Sequence, residues 1–126
     1  MRTKKRVLTL LITSLIIGCT SNKESDQLIM LADYRSSVIS SVLPMKMQNL
    51  TLVQAKADLN AITLVFINDE TKSTSDFLKK ITRQYCQDIE LRNLLEQGLI
   101  YKLVLLNEKQ QKKNETIISL QSCINN

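Results

Sequence analysis

Histidine is absent from the 126 residues, tryptophan is absent too, and there are only two glycines and one proline. Each shortage removes a class of chemistry. Without histidine there is no His-based acid–base catalysis, no Ser-His-Asp triad and no Cys-His dyad. Gly18 and Gly98 stand far apart, so the chain holds neither a phosphate-cradling loop nor a nucleophile elbow. The carboxylates are scattered: Asp69-Glu70 reads as a loop, and Asp88 and Glu90 flank a helix junction. Capping or solvation explains each of them. An enzyme is not expected, and no cofactor or metal is implied.

What is present begins with a targeting pattern. Arg2, Lys4, Lys5 and Arg6 form a basic start, and Val7 to Ile17 is an apolar run broken only by Thr9, Thr13 and Ser14. Gly18 then supplies a small residue before Cys19. This order reads as a cleavable secretory signal over residues 1–18. A membrane-spanning helix needs about 20 apolar residues, more than this run offers. Leu15-Ile16-Ile17-Gly18-Cys19 resembles a lipobox, the recognition site of the lipoprotein signal peptidase, with Ile16 where leucine is usual. Cleavage after Gly18 would leave Cys19 as the lipidated first residue. The competing reading is a short membrane anchor with an incidental buried cysteine.

Cleavage changes the charge argument. Of 17 Lys and Arg, four precede Cys19, which leaves 13 against 12 Asp and Glu. The pI of 9.2 therefore belongs mostly to the signal, and no basic footprint for nucleic acid survives. The remaining 108 residues suffice for one domain. We expect a lipidated polar tether over 19–25, running from Thr20 to Ser25, and a single domain over 26–126. Cys86 and Cys123 then remain as a pair, too few for a four-ligand zinc site. Outside the cytoplasm such a pair reads as a disulfide, with two free buried thiols as the alternative. Closing a loop of that length would stabilise the fold by about 4 kcal/mol in the chain-entropy model.

Residues 23–42 place Leu28, Leu31, Tyr34, Val38 and Val42, with Ile39 beside them, on one apolar helical stripe, and Pro44 follows. Leu50 to Lys56 and Ala61 to Asn68 read as a hairpin turning at Asp58-Leu59-Asn60. Thr74 or Ser75 can cap a helix carrying Asp76, Phe77, Leu78, Ile81, Tyr85 and Cys86. A short helix over Ile89 to Gln97 ends at Gly98. Leu99 to Asn107 reads as a strand, Glu108 to Lys113 as a charged loop, and Glu115 to Cys123 as a last strand. The expected fold is α+β: an N-terminal helix, a β-hairpin, two helices and a second β-hairpin, on a four-stranded, largely antiparallel sheet.

An antiparallel sheet with one watery face alternates apolar and polar residues. Here Ile62, Leu64 and Phe66 share one face while Val65 and Ile67 share the other, and Ile100 to Leu106 is likewise apolar on both. Either helices cover both sides, or one face is left open to an apolar partner segment.

With these residues in view, the chain resembles the AspS-type (GspS-beta) pilotins of the type II secretion system over nearly its whole length. Val42-Leu43-Pro44-Met45-Lys46 and Thr51-Leu52-Val53 are similar to that family's Leu-Pro-Ile-Lys and Thr-Leu-Val segment. Asp76-Phe77-Leu78 with Arg83-Gln84-Tyr85-Cys86 matches its helix bearing the first disulfide cysteine, and Cys123 falls at the second, in the last strand. Glu96, Gly98 and Tyr101 match its helix-to-strand passage. The resemblance implies a non-enzymatic role: an outer-membrane, lipid-anchored (palmitate-bearing) pilotin on the periplasmic face. It would bind the C-terminal helix of a secretin and direct secretin assembly, with the lipoprotein sorting machinery as a second partner. Thr20 is not the aspartate that retains lipoproteins at the inner membrane. The alternative is a small lipoprotein binding another periplasmic partner, such as an inhibitor of a wall-lytic enzyme. The expected partner groove lies between the first helix and one greasy sheet face, walled by Leu64 and Phe66 or by Val65 and Ile67.

Overall fold

The computed structural model describes residues 21–47, 49–68 and 74–125. In chain order these form α1 (Ser21–Ser40), β1 (Met45–Met47), β2 (Leu50–Asp58), β3 (Ala61–Asn68), α2 (Thr74–Gln87), α3 (Ile89–Glu96), β4 (Ile100–Leu106), β5 (Lys112–Ile118) and α4 (Leu120–Ile124). The α+β class stands, with one more strand than expected. The sheet order is β1-β2-β3-β4-β5. β3 and β4 run parallel and every other neighbour pair is antiparallel. The parallel pair follows from the connection: α2 and α3 form a crossover long enough to bring β4 alongside β3 in the same direction. The extra strand, β1, has only three residues, too few to show a period.

α1 begins at Ser21, so the polar residues 21–25 expected as tether are its first turns rather than a loose linker. Its inward row is Leu28, Ala32, Ser36 and Ile39, with Leu43 just beyond. The small Ala32 and Ser36 at its centre let the helix sit close on the sheet, and the Ser36 hydroxyl donates to the Asp33 carbonyl at 3.0 Å. Tyr34, Val38 and Val42, expected on the core stripe, lie in solvent instead. The Leu43–Pro44 bond is cis, where the chain turns into β1.

The chain end departs from expectation in the same way. β5 starts at Lys112, inside the expected loop, and stops at Ile118. Cys123 therefore sits on a short helix and not on a strand. Ser119 and Ser122 stand three apart at that helix start, and the Ser119 N–H donates to the Ser122 hydroxyl at 3.1 Å, an arrangement that competes with strand geometry.

The turns hold where they were read. Asp58 pairs with Ala61 across a two-residue turn. Asp88 caps α3, its carboxylate accepting from the Leu91 N–H at 2.9 Å. Gly98 has φ +106°, the left-handed stop after α3, and a Cβ there would lie 3.1 Å from a Leu28 methyl. The Asn60 side chain donates to the Gly98 carbonyl at 2.9 Å and ties the two turns together.

All four helices contribute to one core, on the face of Leu52, Ile62, Leu64, Phe66, Tyr101, Leu103, Leu105 and Ile118. The opposite face, with Val65, Ile67, Val104 and Leu106 half-buried, has no described helix over it. Of the two alternatives, the described helices cover one side only.

Candidate partner-binding surface

Gly18, Cys19 and Thr20 lie outside the described residues, as do Asp69 and Glu70. Among the described residues no three His, Cys, Asp or Glu side chains gather into a metal-holding group. The surface chemistry available is contact and charge.

The helix-bearing side is divided. α1 rests on β2 and β3, while α2 rests on β5 and against α3 and α4. Arg35 of α1 spans toward the other helices: its Nε donates to the Tyr101 hydroxyl at 3.0 Å, and its guanidinium lies 3.6 Å from the Glu90 carboxylate. Tyr101 stacks edge-on against Tyr85 of α2, ring centroids 4.9 Å apart. Burial pushes both phenols above their ordinary range. Arg35, pairing with Tyr101, opposes that rise.

The two proposed wall sets separate cleanly. Leu64 and Phe66 are each 3% exposed, closed beneath the helices, so they cannot line an open groove. Phe66 also packs edge-on against Phe77 of α2. Val65 and Ile67 stand on the uncovered face, among Thr63, Lys102 and the ion-paired Glu115. That face mixes apolar and charged groups in the ordinary way of a solvated sheet face.

A larger apolar surface lies outside both expected wall sets. Met30, Tyr34 and Val38 on α1, with Val42 in the turn after it, are 70%, 68%, 49% and 55% exposed, at four-residue spacing. Residues four apart on a helix share a face, so these form one outward row. The sequence carried the signal: taking Ala32 and Ser36 as the inward positions turns Tyr34 and Val38 outward. Four exposed apolar side chains in a row mark a contact site more than scattered ones do.

Cys86 of α2 and Cys123 of α4 form a disulfide, S–S 2.02 Å, with Cα atoms 5.3 Å apart. It fastens the chain end to the crossover helix.

A sheet shielded on one side, beside a helix that keeps an apolar row in water, is the build of a small α+β binding domain. Comparison with known proteins gives its kind: residues 24–123 match the type II secretion system pilotin, S protein, family, and the chain belongs to it. Pilotin AspS 2 of Escherichia coli O78:H11 (strain H10407) is 31% identical over 118 residues, covering 86% of this chain and 85% of that protein. The pilotin EpsS of the Vibrio vulnificus type 2 secretion system superposes with TM-score 0.77 at 27% identity, covering 81% of this chain and 96% of that one. A chain of the enterotoxigenic E. coli pilotin–secretin AspS–GspD complex shares the fold, with TM-score 0.53 and 21% identity, covering 75% and 89%.

Proposed function

We propose that this pilotin is anchored in the outer membrane by acyl chains on Cys19 and there binds the C-terminal helix of a type II secretin, directing its targeting and assembly. The lipoprotein sorting machinery carries it to that membrane, and a single acyl chain would hold only marginally where several hold stably. The helical residues 21–25 stand the domain off the membrane. The secretin helix lays its apolar stripe along Met30, Tyr34, Val38 and Val42. That exposed row is the observation that carries the reading, together with family membership. Support for a secretin as partner comes from the related pilotin solved with GspD.

The test is titration of the full chain, purified in nonionic detergent, with a peptide of the secretin's C-terminal helix at low and high salt. Apolar docking predicts little salt dependence. Tyr34→Glu should weaken binding about tenfold or more, because docking would bury an unpaired charge, while thermal stability is unchanged. Val65→Glu, on the uncovered sheet face, should leave affinity intact. If Val65→Glu abolishes binding and Tyr34→Glu does not, the partner lies on the sheet instead. Cys19→Ser should leave the protein unprocessed or soluble; outer-membrane sedimentation at mature size would sink the anchor.

A further inference from the structure

A second surface lies on the far side of α2. Between α2 and β5 runs an open cleft of roughly 910 Å³, closed at one end by α4 and the Cys86–Cys123 bridge. Leu78 and the disulfide line its apolar part, and Lys79 and Arg83 stand one turn apart on its α2 wall. Among the described residues neither cation has a carboxylate partner. Glu115, the one acidic residue among those lining the cleft, carries its carboxylate on the uncovered sheet face, where Lys102 at 3.0 Å and Lys112 take it up and hold it below the usual range. Among the described residues Lys79 and Arg83 therefore carry uncompensated positive charge into the cleft.

The other wall is a strand edge. β5 is the last strand of the sheet among the described residues. Two of its backbone groups are held by side chains that line the same cleft. The Glu115 N–H donates to the Asn114 side-chain carbonyl at 2.8 Å, and the Ile117 carbonyl accepts from the Ser122 hydroxyl at 3.2 Å. Such local bonds satisfy an edge and can be exchanged for those of an incoming strand. A second copy of this chain is a poor occupant, because antiparallel pairing of two β5 edges would bring the Lys79 and Arg83 walls of both copies to the same side of the seam.

We propose that this cleft takes an extended acidic peptide segment of a partner protein, which adds to the β5 edge and sets its carboxylates against Lys79 and Arg83. The trough is about 20 Å long along α2, room for about six extended residues. Alternate side chains of the segment would face the exposed Ile117 and the cationic wall.

The probe is a fluorescent decapeptide alternating glutamate with valine, added to the full chain in nonionic detergent, beside a matched lysine–valine peptide. The acidic peptide should bind and the basic one should not, with affinity falling steeply as salt rises. Lys79→Glu with Arg83→Glu should weaken binding about tenfold or more without lowering the melting temperature. Bound peptide should slow amide exchange at Glu115, which side-chain pairing alone would not do. Tyr34→Glu should leave this binding untouched, so failure here is separable from failure of the secretin reading. Equal binding of both peptides overturns the proposal. So does unchanged affinity in the double variant, or binding to phosphatidylglycerol vesicles without binding to the peptide.

Discussion

The two faces of the central sheet are made from similar residues and have opposite surroundings. On β3, Ile62, Leu64 and Phe66 are buried while the alternating Val65 and Ile67 remain half in water. On β4, Tyr101, Leu103 and Leu105 are buried, and Ile100, Val104 and Leu106 are not. The difference lies in the neighbours across the ladder. The buried set pairs with itself, Ile62 with Tyr101, Leu64 with Leu103 and Phe66 with Leu105. The open set also pairs Val65 with Val104 and Ile67 with Leu106, but polar residues interrupt it, Thr63 opposite Lys102 and Val104 opposite Glu115. Apolarity within one strand therefore says little about which face is covered. Lateral neighbours decide, because a helix can seat only where a whole patch is apolar.

The comparison breaks if adjacent residues on β3 cost the same to truncate. Leu64→Ala should lose about 2–5 kcal/mol by leaving a cavity in a closed core. Val65→Ala should lose under about 1 kcal/mol, since water already reaches that face. Urea unfolding of the two variants measures both. Equal losses would mean that the second face is also sealed.

Much of this is legible in the sequence. The hairpin at Asp58-Leu59-Asn60, the α3 cap at Asp88 and the stop at Gly98 rest on local chemistry that sequence states directly, and the Cys86–Cys123 pair follows from two cysteines left over in a chain expected outside the cytoplasm. Three features were not legible, each for a physical reason. β1 is too short to carry a period. The Ser119–Ser122 hydroxyls turn the last residues helical against their apolar content. The inward row of α1 is built on Ala32 and Ser36, whose value is smallness, which a hydrophobic count passes over. The last of these also moved the candidate site, from the sheet to the outer row of α1.

The faces should also answer to pH at opposite ends of the scale. On the covered face, burial raises the Tyr85 and Tyr101 phenols above 10.0, so the folded state favours the neutral form. Their contribution is complete below about pH 10 and is lost as pH rises toward the folded values. On the open face, Lys112 and Lys102 lower the Glu115 carboxyl from 4.5. Its contribution is present above that value and is lost as pH falls through the lower folded one. Glu115 is exposed to solvent, so the acid loss should be much the smaller. With no histidine, stability should be level between about pH 6 and 9. Urea midpoints across pH check this; a midpoint that does not fall between pH 9.5 and 11 would refute the buried-phenol account.

The smallest effect concerns the turn that assigns β2 and β3 residues to their faces. The Asp58–Ala61 pairing fixes the register that puts Ala57 beside Ile62 and Ala55 beside Leu64. Within that turn Leu59 has φ +53° and is exposed, with no core packing to lose. A left-handed conformation costs a branched L-residue about 1–2 kcal/mol, and glycine adopts it freely while losing part of that gain to chain entropy. Asn60 is not in the positive-φ region, and a two-residue hairpin turn with positive φ at its first position alone favours glycine there. Leu59→Gly should therefore raise stability by about 0.5–1 kcal/mol, read as a higher urea midpoint at unchanged slope. A lower midpoint would show that Leu59 makes a contact worth more than its strain. A changed slope would show that the register, and with it the assignment of the two faces, depends on more than this turn.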